Sequence, residues 1–198
     1  MTDSLPLHRL PHLAELFKFF NSGKYLNRLS EATLWAALEQ EQPAYQSLFT
    51  ALGYELRVDG RGFAWFYSEQ LSSNISNQSR QLALLFMVIF DTQADAGKAL
   101  SRFSDWAIDR ALLEVVFEQH QELLTAENLD VEGLLDLLET ATRYGFAHPV
   151  SGHWMLLPAV CRYLDHFETL AAQHREQTAE LEEAQDDDPE PESQEQRS

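Results

Sequence analysis

The chain has 198 residues, 44% of them apolar and 11% aromatic, which is enough to build one large core or two small ones, and its formal charge is −18. Ten acidic residues and one arginine fall between Glu176 and Ser198, a net of −9, and the other 175 residues hold 22 acidic and 13 basic, again −9. An acidic body argues against strong autonomous binding to nucleic acid, because clustered Lys and Arg releasing counterions supply most of that affinity.

Other bounds follow from single features. One cysteine, Cys161, cannot form an internal disulfide and points to a reducing compartment. The start MTDSLPLHRLPH has no charged-then-apolar leader pattern, so a cytosolic protein is expected. The longest apolar run, Leu82 to Phe90, falls well short of the roughly twenty residues a spanning helix needs.

In chain order, Leu10, Leu13, Leu16, Phe17 and Phe20 recur at helical spacing and predict a helix within Leu7 to Asn21, after Pro11. Lys24 to Arg28 is a short link or small strand. Ser30 is placed to cap a helix over Glu31 to Glu39, with Leu34, Trp35 and Leu38 inward. Pro43 opens the next helix, striped by Tyr45, Leu48, Phe49 and Leu52 and stopped at Gly53. Tyr54, Leu56 and Val58 then alternate on one face of a strand, Asp59-Gly60-Arg61-Gly62 turns the chain, and Phe63, Trp65 and Tyr67 share a face on the return. This is a helix-helix-helix-hairpin unit over residues 1–70.

Ser68 to Ser79 is polar and reads as a linker, assigned to 71–79. Arg80 to Ala96 predicts a helix apolar nearly all round, which has to be covered on several sides. Asp105 to Gln121 predicts another, with Trp106, Ile108, Leu112, Val115 and Val116 inward. Asp130 caps a third, striped by Val131, Leu134, Leu135, Leu138, Ala141 and Thr142 and stopped at Gly145, where a left-handed residue is cheap for glycine. Two short runs, Phe146 to His148 and His153 to Leu157, flank a turn over Pro149 to Gly152 and predict a second hairpin. Pro158 starts a closing helix running to Gln177. The fold class expected is mainly α with small β-hairpins: two winged-helix domains in tandem (1–70 and 80–177) and a disordered acidic tail (178–198).

No catalytic constellation stands out in the sequence. His8 and His12 stand four apart near Glu15, but Pro11 lies between them and the HExxH pattern is absent. His148 and His153 are expected to face each other across the second wing near Cys161, without a third spaced ligand. No phosphate loop, nucleophile elbow or CxxC pair occurs. No enzyme, cofactor or metal site is expected.

The basic residues of the first unit, Lys24, Arg28, Arg57 and Arg61, are candidate contacts to a DNA backbone, which position a protein without reading sequence. The alternative is ordinary surface arginines balanced by Glu55 and Asp59. In the second unit the helix that would enter a groove carries Glu132, Asp136 and Glu139, so phosphate would repel it. The exposed aromatics Trp65, Phe66 and Trp154 are candidates to line a groove for an extended partner chain; core packing is the competing reading, above all for Trp65.

With both wings placed, the chain resembles the kite subunits of bacterial condensins, within them the MukE-like group and most of all MksE of the MksBEF type. The residues that carry the resemblance are ALGYELRVDGRGFAWFY (Ala51 to Tyr67) and LLETATRYGFAHPVSGHWMLLP (Leu137 to Pro158). The resemblance implies a cytoplasmic, nucleoid-associated subunit for chromosome organisation and segregation, or for plasmid defence as in the Wadjet systems. It implies a homodimer that binds an MksF-like kleisin beside an MksB-like SMC-type ATPase, with DNA contacted mainly within the assembled complex. The rival class is a sequence-specific winged-helix transcription regulator, which needs a basic recognition helix that neither unit offers.

Overall fold

The computed structural model describes residues 10–67 and 77–186, with side chains described up to 173 and at Arg175. The first half runs α1 (Leu13–Asn21), β1 (Leu26–Asn27), α2 (Ala32–Gln40), α3 (Gln42–Ala51), β2 (Glu55–Asp59) and β3 (Phe63–Tyr67). Its strands form an antiparallel sheet in the order β1-β3-β2, with Leu56 opposite Phe66 and Arg57 opposite Trp65. The second half runs α4 (Asn77–Asp95), a 3-10 turn (Leu100–Asp105), α5 (Arg110–Gln119), α6 (Gln121–Ala126), α7 (Val131–Tyr144), β4 (Ala147–Val150), β5 (His153–Leu156) and a second 3-10 turn (Pro158–Val160). Both halves lie in one compact unit, Met1–Val160; α8 (Cys161–Asp186) belongs to another, Cys161–Ser198. The fold is mainly helical with small antiparallel hairpins, as the sequence predicts.

The local causes are legible in several elements. α7 starts where the Asp130 carboxylate accepts from the Gly133 amide at 2.8 Å and stops where Gly145 turns left-handed. α3 carries Pro43 in its first turn, where a missing N–H costs nothing. Tyr54, Leu56 and Val58 face the first core together, beside Leu16, Phe20, Trp35, Tyr45 and Phe49. On α4, Leu82, Leu85, Phe86, Val88, Ile89 and Phe90 are all buried, so the nearly all-round apolar helix is covered on several sides.

Several local expectations change. The helix expected from Asp105 begins at Arg110, because the Asp109 side chain caps it, accepting from the Leu112 amide at 2.9 Å. Ile108 is fully buried but lies in extended chain, exchanging both main-chain hydrogen bonds with Trp154 at 2.8 Å. The second hairpin turns on two residues, Ser151 (φ 46) and Gly152 (φ 89), the geometry that matches strand twist, so Pro149 and Val150 stay in β4. That register puts His148 opposite Met155, and the two histidines do not face each other. Glu31, not Ser30, takes the N-cap position of α2, without a side-chain cap. Leu52 and Val115, both placed on inward stripes, are 56% and 44% exposed. Finally, α8 continues to Asp186, past Gln177, through a Glu-, Gln- and Ala-rich run of good helix formers. The remaining tail, the stretch 68–76 read as linker, and His8 lie outside the described residues; α4 begins at Asn77.

The two halves repeat one plan: a helix, a pairing segment, further helices, then a hairpin. In each, the pairing segment joins the last strand antiparallel, β1 to β3 and Ile108 to β5. They meet at β1. The Tyr25 amide donates to the Tyr144 carbonyl at 2.8 Å, beside the buried Asn27 side chain, whose Nδ2 donates to the Tyr25 and Gly145 carbonyls at 3.0 and 2.7 Å. Its Oδ1 accepts from the Ala159 amide at 3.2 Å. A run of rings, Phe63–Trp65–Tyr25–Phe146–Phe86, crosses the same junction with neighbouring centroids 4.6–6.0 Å apart.

Candidate functional site

The junction decides what the first hairpin can present. β3 is covered on both faces, with Ala64 and Phe66 turned to the first core and Phe63 and Trp65 to Tyr25. Phe66 packs on Phe17, Phe20, Phe49 and Tyr54, with centroids between 4.8 and 6.1 Å. Trp65 and Phe66 are both half-buried in ring contacts within the fold. Trp154 is also half-buried, and its buried indole N–H has no acceptor among the described residues.

The four basic candidates fall into two groups. Arg57 donates from Nε to Glu55 at 2.7 Å and lies 3.5 Å over the Tyr67 ring. Arg61 holds Asp59 in a two-point pair, at 2.9 Å through Nε and 2.8 Å through a terminal nitrogen, and its own amide donates to the same carboxylate at 2.8 Å. Each wing arginine therefore has a carboxylate beside it, which cancels much of its field. Lys24 sits over the Phe19 ring at 5.6 Å, and the exposed Arg28 meets the wing through its amide, which donates to the Gly62 carbonyl at 2.9 Å.

The Arg61 hydrogen bonds, first of all, hold the Asp59 carboxyl below its usual range, against the opposing effect of burial. A lowered folded pKa adds stability that is complete above the unfolded value of about 3.9 and is lost as pH falls through the folded one. Asp59→Asn is expected to flatten the acid limb of a melting-temperature profile below about pH 4 and leave the neutral region little changed, as befits a surface pair.

Arg28 also lines a cavity of about 210 Å³ under the turn of the first hairpin, with Trp35, Leu38 and Glu39 from α2, Gln42 from α3, and Val58, Asp59, Gly60 and Gly62 from β2 and the turn. A second hollow of about 350 Å³, wholly apolar in its lining, lies between α1 and α3 at Leu13, Phe17, Leu48 and Leu52. Among the described residues, no group of three or more His, Cys, Asp and Glu side chains could hold a metal ion, and no helix is long and apolar enough to cross a membrane.

Residues 11–168 match the family described as condensin complex protein MksE. The chain belongs to the MksE family. A search of curated proteins returns no match to it. As an MksE-family protein it is a subunit of a condensin complex, and the match spans both halves and the junction between them. The α7 surface of this MksE-family chain is acidic: Glu132, Asp136 and Glu139 are exposed, and Arg110 is paired to Glu132. Its counterpart in the first half, α3, exposes Pro43, Ser47, Thr50 and Ala51, with no basic residue among them. Reading the sequence missed Glu39 and Gln42, which stand at the cavity. No local pattern marks them, since each lies in an ordinary helical run and only the return of β2 brings Val58 alongside.

Proposed function

We propose that this chain is a non-enzymatic architectural subunit of a condensin: a homodimer of tandem winged-helix units that binds an MksF-like kleisin and helps hold DNA beside an MksB-like SMC-type ATPase. The winged-helix boundaries at 1–70 and 80–177 belong to this reading, as do the cytoplasmic, nucleoid-associated location and the role in chromosome segregation or plasmid defence. The observation that carries it is the family match over residues 11–168, with one plan of pairing segment, helices and hairpin used twice. The acidic α7 face and the uncharged α3 face support protein over DNA as the main ligand of the helices. The apolar hollow between α1 and α3 is the kind of surface that a protein covers.

Co-purification with an MksF-like kleisin from the same genome is the direct test, and a clean absence of binding sinks the proposal. The rival reading, a sequence-specific transcription regulator, requires nanomolar, sequence-dependent gel shifts at physiological salt. For the wing, Arg57→Glu with Arg61→Glu should weaken DNA binding of the assembled complex and leave kleisin binding intact. If DNA binding holds at its original strength across a salt titration, the two arginines are plain surface paired to Glu55 and Asp59.

A further inference from the structure

The cavity at the root of the first wing is ringed by polar groups that the fold leaves unmatched. Among the described residues the Arg28 guanidinium, the Glu39 carboxylate and the Gln42 amide have no hydrogen-bond or ion-pair partner, although all three line one hollow of about 210 Å³. Arg28 and Glu39 do not pair with each other. Trp35, 6% exposed, contributes to the same lining, and its buried indole N–H has no acceptor. The wing arginines differ, since each already holds a carboxylate.

The strand beside the cavity points the same way. β2 is an edge strand, because the sheet order is β1-β3-β2. The Leu56 carbonyl accepts from the Gln46 side chain of α3 at 3.5 Å, so it is directed away from β3 and is already capped by α3. Main-chain direction alternates along a strand, so Val58, two residues on, presents its N–H and C=O to that edge too. Val58 is half-buried and lines the cavity, while Gly60 next to it has nothing within 4 Å of where a Cβ would stand. A chain therefore has room to approach the main chain here.

We propose that this cavity and the open edge of β2 at Val58 form a binding site for an extended polypeptide, held by main-chain hydrogen bonds in the manner of strand addition. The ligand chemistry follows from the lining. A donor at Arg28, an acceptor at Glu39 and the amide of Gln42 match a group that accepts at one end and donates at the other, as successive peptide amides do. A nucleic-acid phosphate matches poorly, because its charge would sit beside the Glu39 and Asp59 carboxylates with only Arg28 unneutralised. The site rests on the reading that this subunit grips an extended partner chain, and it names where.

The test uses the full-length protein with the purified kleisin, titrated calorimetrically and followed by amide hydrogen exchange. The expected results are protection of amides over Val58 to Gly62 on binding and at least a tenfold loss of affinity in both Glu39→Lys and Val58→Pro. The proline removes an outward-facing donor, which an edge strand tolerates, together with part of the Val58 packing on the first core, so its melt is measured beside the parent's. Glu39→Lys changes an exposed side chain, so it should melt like the parent yet bind more weakly. If the kleisin binds and these variants bind like the parent, the site is wrong and the function stands. If the parent does not bind the kleisin, the function fails and this site fails with it. If Arg28→Glu instead weakens binding to a random-sequence DNA duplex while Glu39→Lys does not weaken kleisin binding, the cavity is a phosphate site and the proposal is overturned.

Discussion

Asn27→Ala is expected to be the most damaging small substitution in the described part of the chain, costing about 4 kcal/mol. The amide is fully buried and joins three main-chain groups from distant parts of the sequence: the Tyr25 and Gly145 carbonyls and the Ala159 amide. Removing it strands buried polar groups at about 1–3 kcal/mol each and leaves a small void. For a unit of this size the melting temperature should fall by roughly 10 °C. Asn27→Asp sharpens the test. A carboxylate there would face two carbonyl oxygens, so burial and the missing donor raise its folded pKa above the unfolded value of about 3.9. The ionisation part of the penalty is then absent below that value and grows as pH rises, and acidification should partly rescue this variant relative to Asn27→Ala. A thermal melt unchanged in both would show that the halves are held by the ring contacts alone.

Gly145→Ala is the second large expectation, and it has a built-in control. Gly145 is left-handed at φ +86, which costs an alanine about 1–2 kcal/mol by itself. A Cβ at Gly145 would also stand 2.2 Å from the Tyr25 carbonyl oxygen, a main-chain atom held by the Asn27 amide. Neither atom can yield without opening the junction, so the total should exceed about 3 kcal/mol. Gly53 has nearly the same backbone angle, φ +84, with nothing within 4 Å of a built Cβ. Gly53→Ala is therefore expected to cost only the conformational part, and chemical denaturation of the two variants side by side separates close approach from strain. Equal midpoints would show that the junction relaxes around a methyl group.

These two positions also mark where reading the sequence stops. Asp130, Gly145 and the alternation at Tyr54, Leu56 and Val58 announce their roles locally, because caps, left-handed stops and strand faces depend on residues a few positions apart. Gly145 reads correctly as a helix stop, but nothing near it says that Tyr25 lies against it. Asn27 sits in Leu-Asn-Arg, a run without signal. Ile108 is misread as helical because a buried apolar residue at helical spacing satisfies both periods, and only its pairing with Trp154 decides the matter. The candidate site is split in the same way. Arg57 and Arg61 are visible as wing arginines beside acidic neighbours, and the pairings with Glu55 and Asp59 follow at short range. The cavity is not visible, since it joins α2, α3 and the wing turn.

By itself, then, the sequence determined the helices, the two hairpins, the acidic balance and the family. Each of these is written in short-range spacing, in net composition, or in runs such as Ala51 to Tyr67 and Leu137 to Pro158. Only the tertiary structure decided that β3 is covered on both faces, that Asn27 bolts the halves together, and that Arg28 and Glu39 share a hollow without pairing. The physical reason is range: caps and periodicity act within one turn or one strand. Burial of a polar side chain, and the neighbour it finds there, depend on which surfaces the whole chain brings together.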